Sequence, residues 1–520
     1  MKKVQKERVA GGSLPPQGGA SGRCKDDYRV GFLAADKAGD AADLPASRDD
    51  DQRKIYISNS AGKSRADVVI CGAGIAGISA AYHLAVKQRM KRVVLVDERP
   101  PLSLTSDKST ECYRNLWPGP GDAMVGLMNR SVDLMEELAR ESSNSFHLNR
   151  RGYVYVTADP KRISHFERFV KETSELGVGP VRYHTGRHGD LSYTPHHSRG
   201  FDNEPNGMDL ILDSKIIQRH FPYLSRDILA VIHGRRCGWL SVQQLGMYLL
   251  DRARENGVRL IAARVENIDV ADKKIQAVHL REGSGTATVS TQHFINAAGP
   301  LLREVGLMVG VDLPVFSELH LKMAFKDTLG AVPRNAPMLI WTDPLILSWS
   351  EEERAMLAES EETRSFLEQL PSGVHTRPEG GPDSDILLGL WAYYTPPAEP
   401  VFPFSIDPGY PEMVLRGLST MIPGLKGYVE RLPKATVDGG YYTKTRENRP
   451  LIGKLPIEGA YVVGALSGFG VMAACGAGEL VAAHVAGSKL PHYASAFALE
   501  RYEDRGYQRL LETWSDSGQL

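Results

Sequence analysis

Cysteine is scarce in this chain: five residues in 520, at Cys24, Cys71, Cys112, Cys237 and Cys475. The count is odd, the positions are scattered and no C-x-x-C occurs. This excludes a disulfide framework and a structural zinc site, and makes a reducing compartment the default. An excess of one charge is also missing. Lys and Arg number 62 against 63 Asp and Glu, for a formal net charge of −1, so nothing asks for nucleic acid as a partner. No run of about 20 apolar residues occurs, and no membrane span is expected. The nearest candidate, Tyr461 to Cys475, is short and glycine-rich. The first residues lack the apolar segment of a secretory signal. Met1 to Arg8 carries four lysines or arginines, but Glu7 and the run Asp49-Asp50-Asp51 fit a mitochondrial transit peptide poorly. A cytoplasmic location is the expectation, with mitochondrial import as the lesser option.

What is present is a length of 520 residues at 42% hydrophobic content. That is too long for one core and predicts two domains or more. Residues 1–65 are rich in Gly, Ala, Asp and Ser without an apolar period, which predicts a disordered extension.

The most informative stretch is Ala66 to Arg99, ADVVICGAGIAGISAAYHLAVKQRMKRVVLVDER. The apolar run Val68 to Cys71 predicts a buried strand. Gly72, Gly74 and Gly77 follow in G-x-G-x-x-G spacing and open a helix expected over 78–86. A second strand, Val93 to Val96, ends on Asp97, 20 residues after the last glycine. In such a βαβ unit the first glycine permits the tight turn, the second lets backbone approach a pyrophosphate, and the third lets helix lie on sheet. The anion rests on the helix N-terminus, and the acid accepts from a ribose hydroxyl. This pattern predicts dinucleotide binding without separating NAD from FAD.

Farther along, 100–121 reads as a loop, 122–140 as a helix, 151–158 as a strand and 161–176 as an amphipathic helix. Residues 177–206 read as irregular; His184, His188, His196 and His197 there fit no compact metal site and predict a solvated loop. A helix over 242–256, a strand over 258–261, a hairpin over 265–280 and a strand entering the small-residue turn Asn296 to Pro300 return the chain to an α/β pattern. Strands over 314–325, 337–341 and 386–394 predict a second, mostly antiparallel sheet. An acidic helical stretch (350–370) and a Gly/Pro loop (372–384) lie between them, and a helix over 411–418 follows. At the end, a strand over 459–464 runs through the glycine loop Ala465 to Gly470 into a helix over 471–486, a second turn that aims a helix N-terminus at something.

These pieces together resemble the D-amino-acid oxidase superfamily of FAD-dependent oxidoreductases, which includes glycine oxidase, sarcosine oxidase and dimethylglycine dehydrogenase, over roughly residues 66–500. The resemblance rests on the GAGIAG turn, the Ser109-Thr110…Arg114 loop, the WLSVQQL helix leading to Val265, the INAAGP turn, and Thr445-Arg446-Glu447-Asn448-Arg449-Pro450-Leu451-Ile452-Gly453 followed by Ser467-Gly468-Phe469-Gly470. It selects FAD over NAD.

It implies an α/β fold: a Rossmann-like FAD-binding domain assembled from 66–150, 226–312 and 436–500, and an α+β substrate domain on a mostly antiparallel sheet from 151–225 and 313–435, with 501–520 as a tail. The cofactor residues it implies are Gly72, Gly74, Ile75, Ala76, Gly77, Asp97, Glu98, Arg99, Ser109, Thr110, Val265, Gly299, Gly468, Phe469, Gly470, Val471 and Met472. Candidate substrate residues are Arg114, whose guanidinium suits a carboxylate, and Tyr393, Tyr441 and Tyr442.

Sarcosine oxidase joins FAD to a cysteine where Gly440 stands, so non-covalent FAD is expected. It also carries a lysine where Met472 stands, so sarcosine is not the expected substrate. The implied activity is oxidation of a C–N bond in an amine or amino acid, a bulkier derivative included, by hydride transfer to the flavin and imine hydrolysis, with electrons passing to oxygen or a carrier. The alternative is an FAD-binding assembly or interaction factor of the same fold without amine turnover.

Overall fold

The computed structural model describes residues 64–514. The expected extension 1–65, apart from a two-residue strand Ser64–Arg65 paired with Val289 and Ser290, lies outside the described residues, as does the last part of the tail.

The first glycine stretch forms as its pattern requires. The strand Val68–Cys71 is followed by a helix that starts at Ile75, three residues earlier than expected, with Gly74 at its N-cap. The strand Val93–Asp97 lies parallel to it. These strands belong to a six-stranded sheet in the order Arg259–Ala262, Val93–Asp97, Val68–Cys71, Phe294–Asn296, Ala460–Gly464, Leu451–Lys454. All neighbours are parallel except the last pair. Cys71 is level with Val96 and Asn296, and Asn296 with Val462. This register brings the turns after residues 71, 296 and 464 to one edge, the carboxyl end of the parallel strands, where open α/β sheets bind ligands.

The helical stretch Ser467–Ala486, which includes the helix Gly470–Ala486, is long and apolar enough to cross a membrane by length and composition, yet 67% of its most apolar window is buried inside the protein. Its small residues have a packing reason. A Cβ on Gly478 would lie 2.2 Å from Ser79 Oγ, and one on Gly476 would lie 3.0 Å from the Leu127 carbonyl oxygen. Two other helices, Ile75–Tyr82 and Ala123–Glu141, press against it. Glycine is therefore what lets three backbones approach.

The second sheet has nine strands in the order Ala435–Lys444, Phe316–Lys326, Ile386–Leu390, His375–Glu379, Met338–Trp341, Tyr153–Thr157, Ala230–Gly234, Met208–Ile211, Val181–His184. Neighbours are antiparallel except at Met338–Trp341 beside Tyr153–Thr157 and at the Val181–His184 edge. Ala230–Gly234 and Ala435–Lys444 thus join this sheet, although their positions lie at the margins of segments that the resemblance assigns to the cofactor domain.

Two sequence expectations need correction. His375–Glu379 is a strand and not part of a Gly/Pro loop. Its Pro378 faces Leu387 on one side but lies beyond the two residues paired with Leu339 and Ile340, so the missing N–H breaks no ladder there. The histidine-rich segment 177–206 is not simply a solvated loop. Val181–His184 is an edge strand, and His184 is fully buried against Asp209 at 2.9 Å. His196 contacts the Asn335 carbonyl and His197 pairs with Glu204. Among the described residues no three His, Cys, Asp or Glu side chains gather to hold a metal.

The acid of the terminal T-x-(D/E) motif has a packing job. Glu447 Oε1 accepts hydrogen bonds from Arg501 Nε at 3.1 Å and Nη2 at 2.8 Å, and from the hydroxyls of Tyr502 and Tyr507 at 2.9 Å each. It thereby pins the last helix, Arg505–Thr513. Burial pushes the Glu447 carboxyl up, and the Arg501 guanidinium outweighs that, leaving it below its usual 4.5.

Breaking a buried pair strands the remaining charge at a cost of about 3–5 kcal/mol. Arg501→Met is therefore expected to lower stability by about that much near neutral pH. Because the folded pKa is depressed, the pair's contribution is complete above about pH 4.5 and is lost as pH falls through the folded value. Thermal unfolding of both proteins from neutral pH to acid checks this, and a difference that persists undiminished in acid would contradict the charge pairing.

Candidate functional site

The three turns at the sheet edge enclose a cleft of about 640 Å³. Its walls are Gly74, Ile75 and Ala76 from the first turn, Ala297, Gly299 and Pro300 from the second, and Val463 to Val471 (without Phe469) from the third. Thr105, Ser106 and Ser109 come from the loop and Tyr441, Tyr442 and Thr443 from the long strand. The three glycines of the first turn divide their work. A Cβ on Gly72 would lie 2.3 Å from the Ala297 carbonyl oxygen, and one on Gly77 would lie 1.9 Å from that of Gly72. These two are glycine because protein backbone is there. A Cβ on Gly74 would meet only Ser106 Oγ, at 3.3 Å. Packing leaves room at Gly74, as close approach of a pyrophosphate to this backbone requires.

Asp97 ends its strand beside this turn. Its carboxylate accepts from Ala73 N at 2.7 Å and Arg99 N at 2.9 Å, so this acid holds the turn in shape. Burial pushes its pKa up. Glu98 and Arg99 lie just beyond and do not line the cleft; the Arg99 guanidinium sits 5.0 Å from the Phe402 ring. The Val265 side chain packs into the core with Val94 and Val96.

Sequence reasoning missed the residues that secure the loop. Ser106 Oγ accepts from Ile75 N at 3.0 Å, at the helix start. Thr105 Oγ1 donates to the Tyr441 carbonyl at 2.9 Å. Lys322 Nζ donates to the Ser109 carbonyl at 2.8 Å. The buried Arg377 donates from Nε and Nη2 to the Thr110 carbonyl at 3.0 and 2.7 Å. A period-two reading of Phe316–Lys326 would have found part of this set, because Glu318, His320 and Lys322 share one face.

A second cavity of about 600 Å³ adjoins the cleft across Tyr442 and Gly468, which line both. Thr110, Arg114, His320, His375, Phe469 and Met472 are in its wall. Arg114 lies over Trp117, 4.3 Å from its ring, and reaches the Tyr155 hydroxyl at 3.4 Å. His320 stacks on Tyr442 at 4.0 Å; opposite His320 on the neighbouring strand is Gly440, where a Cβ would lie 3.2 Å from both Lys108 Cβ and Thr105 Cα. His320 Nε2 contacts Glu318 at 3.0 Å, and His375 Nδ1 contacts the Gly373 carbonyl at 2.7 Å. Both partners are acceptors, which makes those ring nitrogens the protonated ones and leaves the other nitrogen of each ring a lone pair. Burial pushes both imidazoles down. For His320 it outweighs the upward pull of Glu318, and His375 falls to about 4.

Of the candidate substrate residues, Arg114, Tyr441 and Tyr442 are therefore brought to these cavities, although the Tyr441 hydroxyl is spent on the Val401 backbone. Tyr393 is not. It packs against Trp391 and Tyr410 and reaches Asp407 at 3.3 Å, away from both cavities.

The division of labour among the glycines is testable. Gly74→Val should leave the cofactor-free fold near wild-type stability and abolish cofactor retention. Gly77→Ala should cost about 1–3 kcal/mol or more by forcing Cβ into backbone. Cofactor absorbance and thermal unfolding of the stripped proteins measure the two effects.

A model of the family described as FAD dependent oxidoreductase (DAO) matches residues 67–484. Dimethylglycine dehydrogenase of Rattus norvegicus, mitochondrial by name, is 28% identical over 261 residues, covering 50% of this chain and 26% of that protein. The pyruvate dehydrogenase phosphatase regulatory subunit of Mus musculus is 22% identical over 284 residues, covering 54% and 28%. The chain thus spans about a quarter of the length of these relatives. Among solved structures, L-proline dehydrogenase from P. horikoshii superposes with a TM-score of 0.65 at 19% identity, covering 85% of this chain and 99% of that one. Glycine oxidase from Geobacillus kaustophilus gives 0.63 at 17% identity, covering 84% and 99%. These structures share the fold, and with a family match running from the strand before the first glycine turn into the helix Gly470–Ala486, the chain belongs to the DAO family of FAD-dependent oxidoreductases.

Proposed function

We propose that this protein oxidises the C–N bond of an amine or amino acid in the cavity between Arg114 and Tyr442. The observation that carries the reading is the position of that cavity: it abuts the far end of the dinucleotide cleft at Tyr442 and Gly468 and holds two neutral imidazoles. FAD, the family's cofactor, supplies the two-electron acceptor for a hydride from the carbon next to nitrogen. The first glycine turn and Asp97 would hold its pyrophosphate and ribose. The turn Ser467 to Met472, at the start of the helix Gly470–Ala486, would direct N–H groups and a helix dipole toward its ring end. Gly440 offers no nucleophile, which supports non-covalent attachment.

The residues of the cavity then have defined tasks. A substrate ammonium must lose a proton before its carbon can give up a hydride, and in this reading His320 and His375, which line the cavity, would take it. Arg114 is suited to a substrate carboxylate. Water adds to the resulting imine and releases a carbonyl compound and ammonia or a smaller amine. The electrons leave to oxygen or to a carrier. The mitochondrial names among the relatives favour import over the cytoplasmic expectation, which cell fractionation decides.

A second reading, in which the protein holds FAD as an interaction or assembly factor without turnover, is favoured by the relative named as a regulatory subunit. Anaerobic mixing of the purified flavoprotein with a panel of amines and amino acids separates the two. Loss of flavin absorbance with at least one compound is expected, and a panel that reduces nothing supports the second reading.

Two further results follow from the buried histidines. Any break that these imidazoles impose on the rate of anaerobic reduction should fall below the ordinary value of 6.5, because burial lowers both, His375 to about 4. His320→Gln should slow that reduction by about 100-fold, the lower end for loss of a proton acceptor. Stopped-flow spectra across pH measure both.

A further inference from the structure

The face of the nine-stranded sheet that carries His375 extends beyond the proposed substrate chamber. Leu390 is paired with His375, His375 with Ile340, Ile340 with Tyr155, and Tyr155 with Ile232. Residues directly opposite on neighbouring strands point to the same side of a sheet. These five side chains therefore form one row, about 19 Å long at about 4.8 Å per strand. Core packing agrees: Tyr155, Ile232 and Ile340 belong with Phe166, whereas the alternate residues Val154, Val156 and Leu339 pack on the opposite face. Leu390 and His375 line the inner chamber, and Ile340, Tyr155 and Ile232 line a further cleft of about 680 Å³. The two spaces thus share one floor, as well as Arg114 and Gly373. The helix Ile163–Thr173 lies over Met208–Ile211 and Ala230–Gly234 and covers the outer cleft with Phe166 and Phe169. The exposed His165 marks its mouth. Most of its polar side chains are already engaged. Arg114 donates to the Tyr155 hydroxyl at 3.4 Å, Arg162 is paired with Asp343 at 3.4 Å, and Thr342 Oγ1 donates to the Val156 carbonyl at 2.9 Å. What its walls offer is aliphatic and aromatic surface, which gains from contact with an apolar group.

We infer that the outer cleft is a subsite for the apolar substituent of the substrate, an aromatic ring or an alkyl chain of several carbons. The substituent lies on the floor of Ile340, Tyr155 and Ile232 beneath Phe166 and Phe169. The reacting C–N group sits in the inner chamber, and a substrate carboxylate meets Arg114 where the two spaces join. The direct pairing of His375 with Ile340 carries the inference, since a single strand spacing separates a side chain of the reaction chamber from one of the outer cleft. This rests on the reading of the inner cavity as the place of C–N oxidation, and it narrows the substrate class to amines or amino acids with an extended apolar side chain.

Titration of the FAD-loaded protein with unreactive straight-chain monocarboxylates, from acetate to octanoate, tests the subsite without turnover. Calorimetry gives the affinities, and perturbation of the flavin absorbance reports a carboxylate end held beside the flavin. Affinity should rise about three- to fourfold with each methylene once the chain reaches past Arg114, the gain expected for apolar burial. Ile232→Trp, which fills the far end of the cleft, should stop that rise at a shorter chain. Phe169→Asp, at a half-buried helix position, should weaken octanoate at least about tenfold by setting a charge against the chain. Acetate, too short to reach either residue, should bind both variants as it binds the parent protein. An affinity that does not grow with chain length, a gain that survives both substitutions, or binding that leaves the flavin spectrum unperturbed would overturn the proposal. FAD content and thermal unfolding establish that the variants are folded, and Phe169→Asp keeps the test decisive if Ile232→Trp is not. A gain with chain length can appear when no amine reduces the flavin, and be absent when some amine does, so the two readings fail separately.

Discussion

The site depends on one constraint, the common register of the parallel strands that precede the three glycine-bearing turns. Cys71, Asn296 and Val462 lie level across the sheet, so the turns that follow them emerge side by side although they are separated by more than 200 and more than 150 residues of chain. A parallel sheet has all its carboxyl ends on one edge, and that edge is where loops can converge on a ligand. A slip of one residue in any of these strands would turn its side chains to the opposite face and misplace its turn. The buried apolar runs Val68–Cys71, Val93–Asp97 and Ala460–Gly464 specify this register through the core they share.

Convergence alone does not make a stable cleft, because loops carry unsatisfied backbone groups. Here polar side chains of the second sheet satisfy them. Arg377 and Lys322 take the Thr110 and Ser109 carbonyls from below. Arg377 is itself balanced by Glu379 at 2.6 Å and Glu111 at 3.7 Å. Ser106 and Thr105 tie the same loop to the first helix and to the strand carrying Tyr441 and Tyr442. Charges buried at the junction of the sheets are thus committed to positioning. The groups that line the inner cavity are two imidazoles pushed below their ordinary pKa by burial, and Arg114, which also lies over Trp117 and reaches Tyr155.

The cavities also order the molecule from cofactor to surface. Tyr442 and Gly468 line both the dinucleotide cleft and the inner cavity, and Arg114 and Gly373 line both the inner cavity and a further one beside the helix Ile163–Thr173.

The amino-acid pattern by itself determined the dinucleotide half. Glycine spacing, an acid at the end of the second strand and a second glycine turn are local features whose physical requirements are visible in the residues, since only glycine tolerates the backbone approach at Gly72 and Gly77. The strand at His375–Glu379 and the edge strand at Val181–His184 were not legible. The first contains a proline that is harmless only because its neighbour has already ended, and the second exists because Met208–Ile211 pairs with it. Likewise the apolar terminal helix reads as small and greasy until its crossing partners show why glycine is needed. The substrate side was left to tertiary structure for the same reason. Tyr393 and Tyr442 are alike in sequence context, and only strand pairing places Tyr442 beside His320 and leaves Tyr393 against Asp407. Which cavity a side chain enters is set by contacts hundreds of residues away, and no local spacing encodes them.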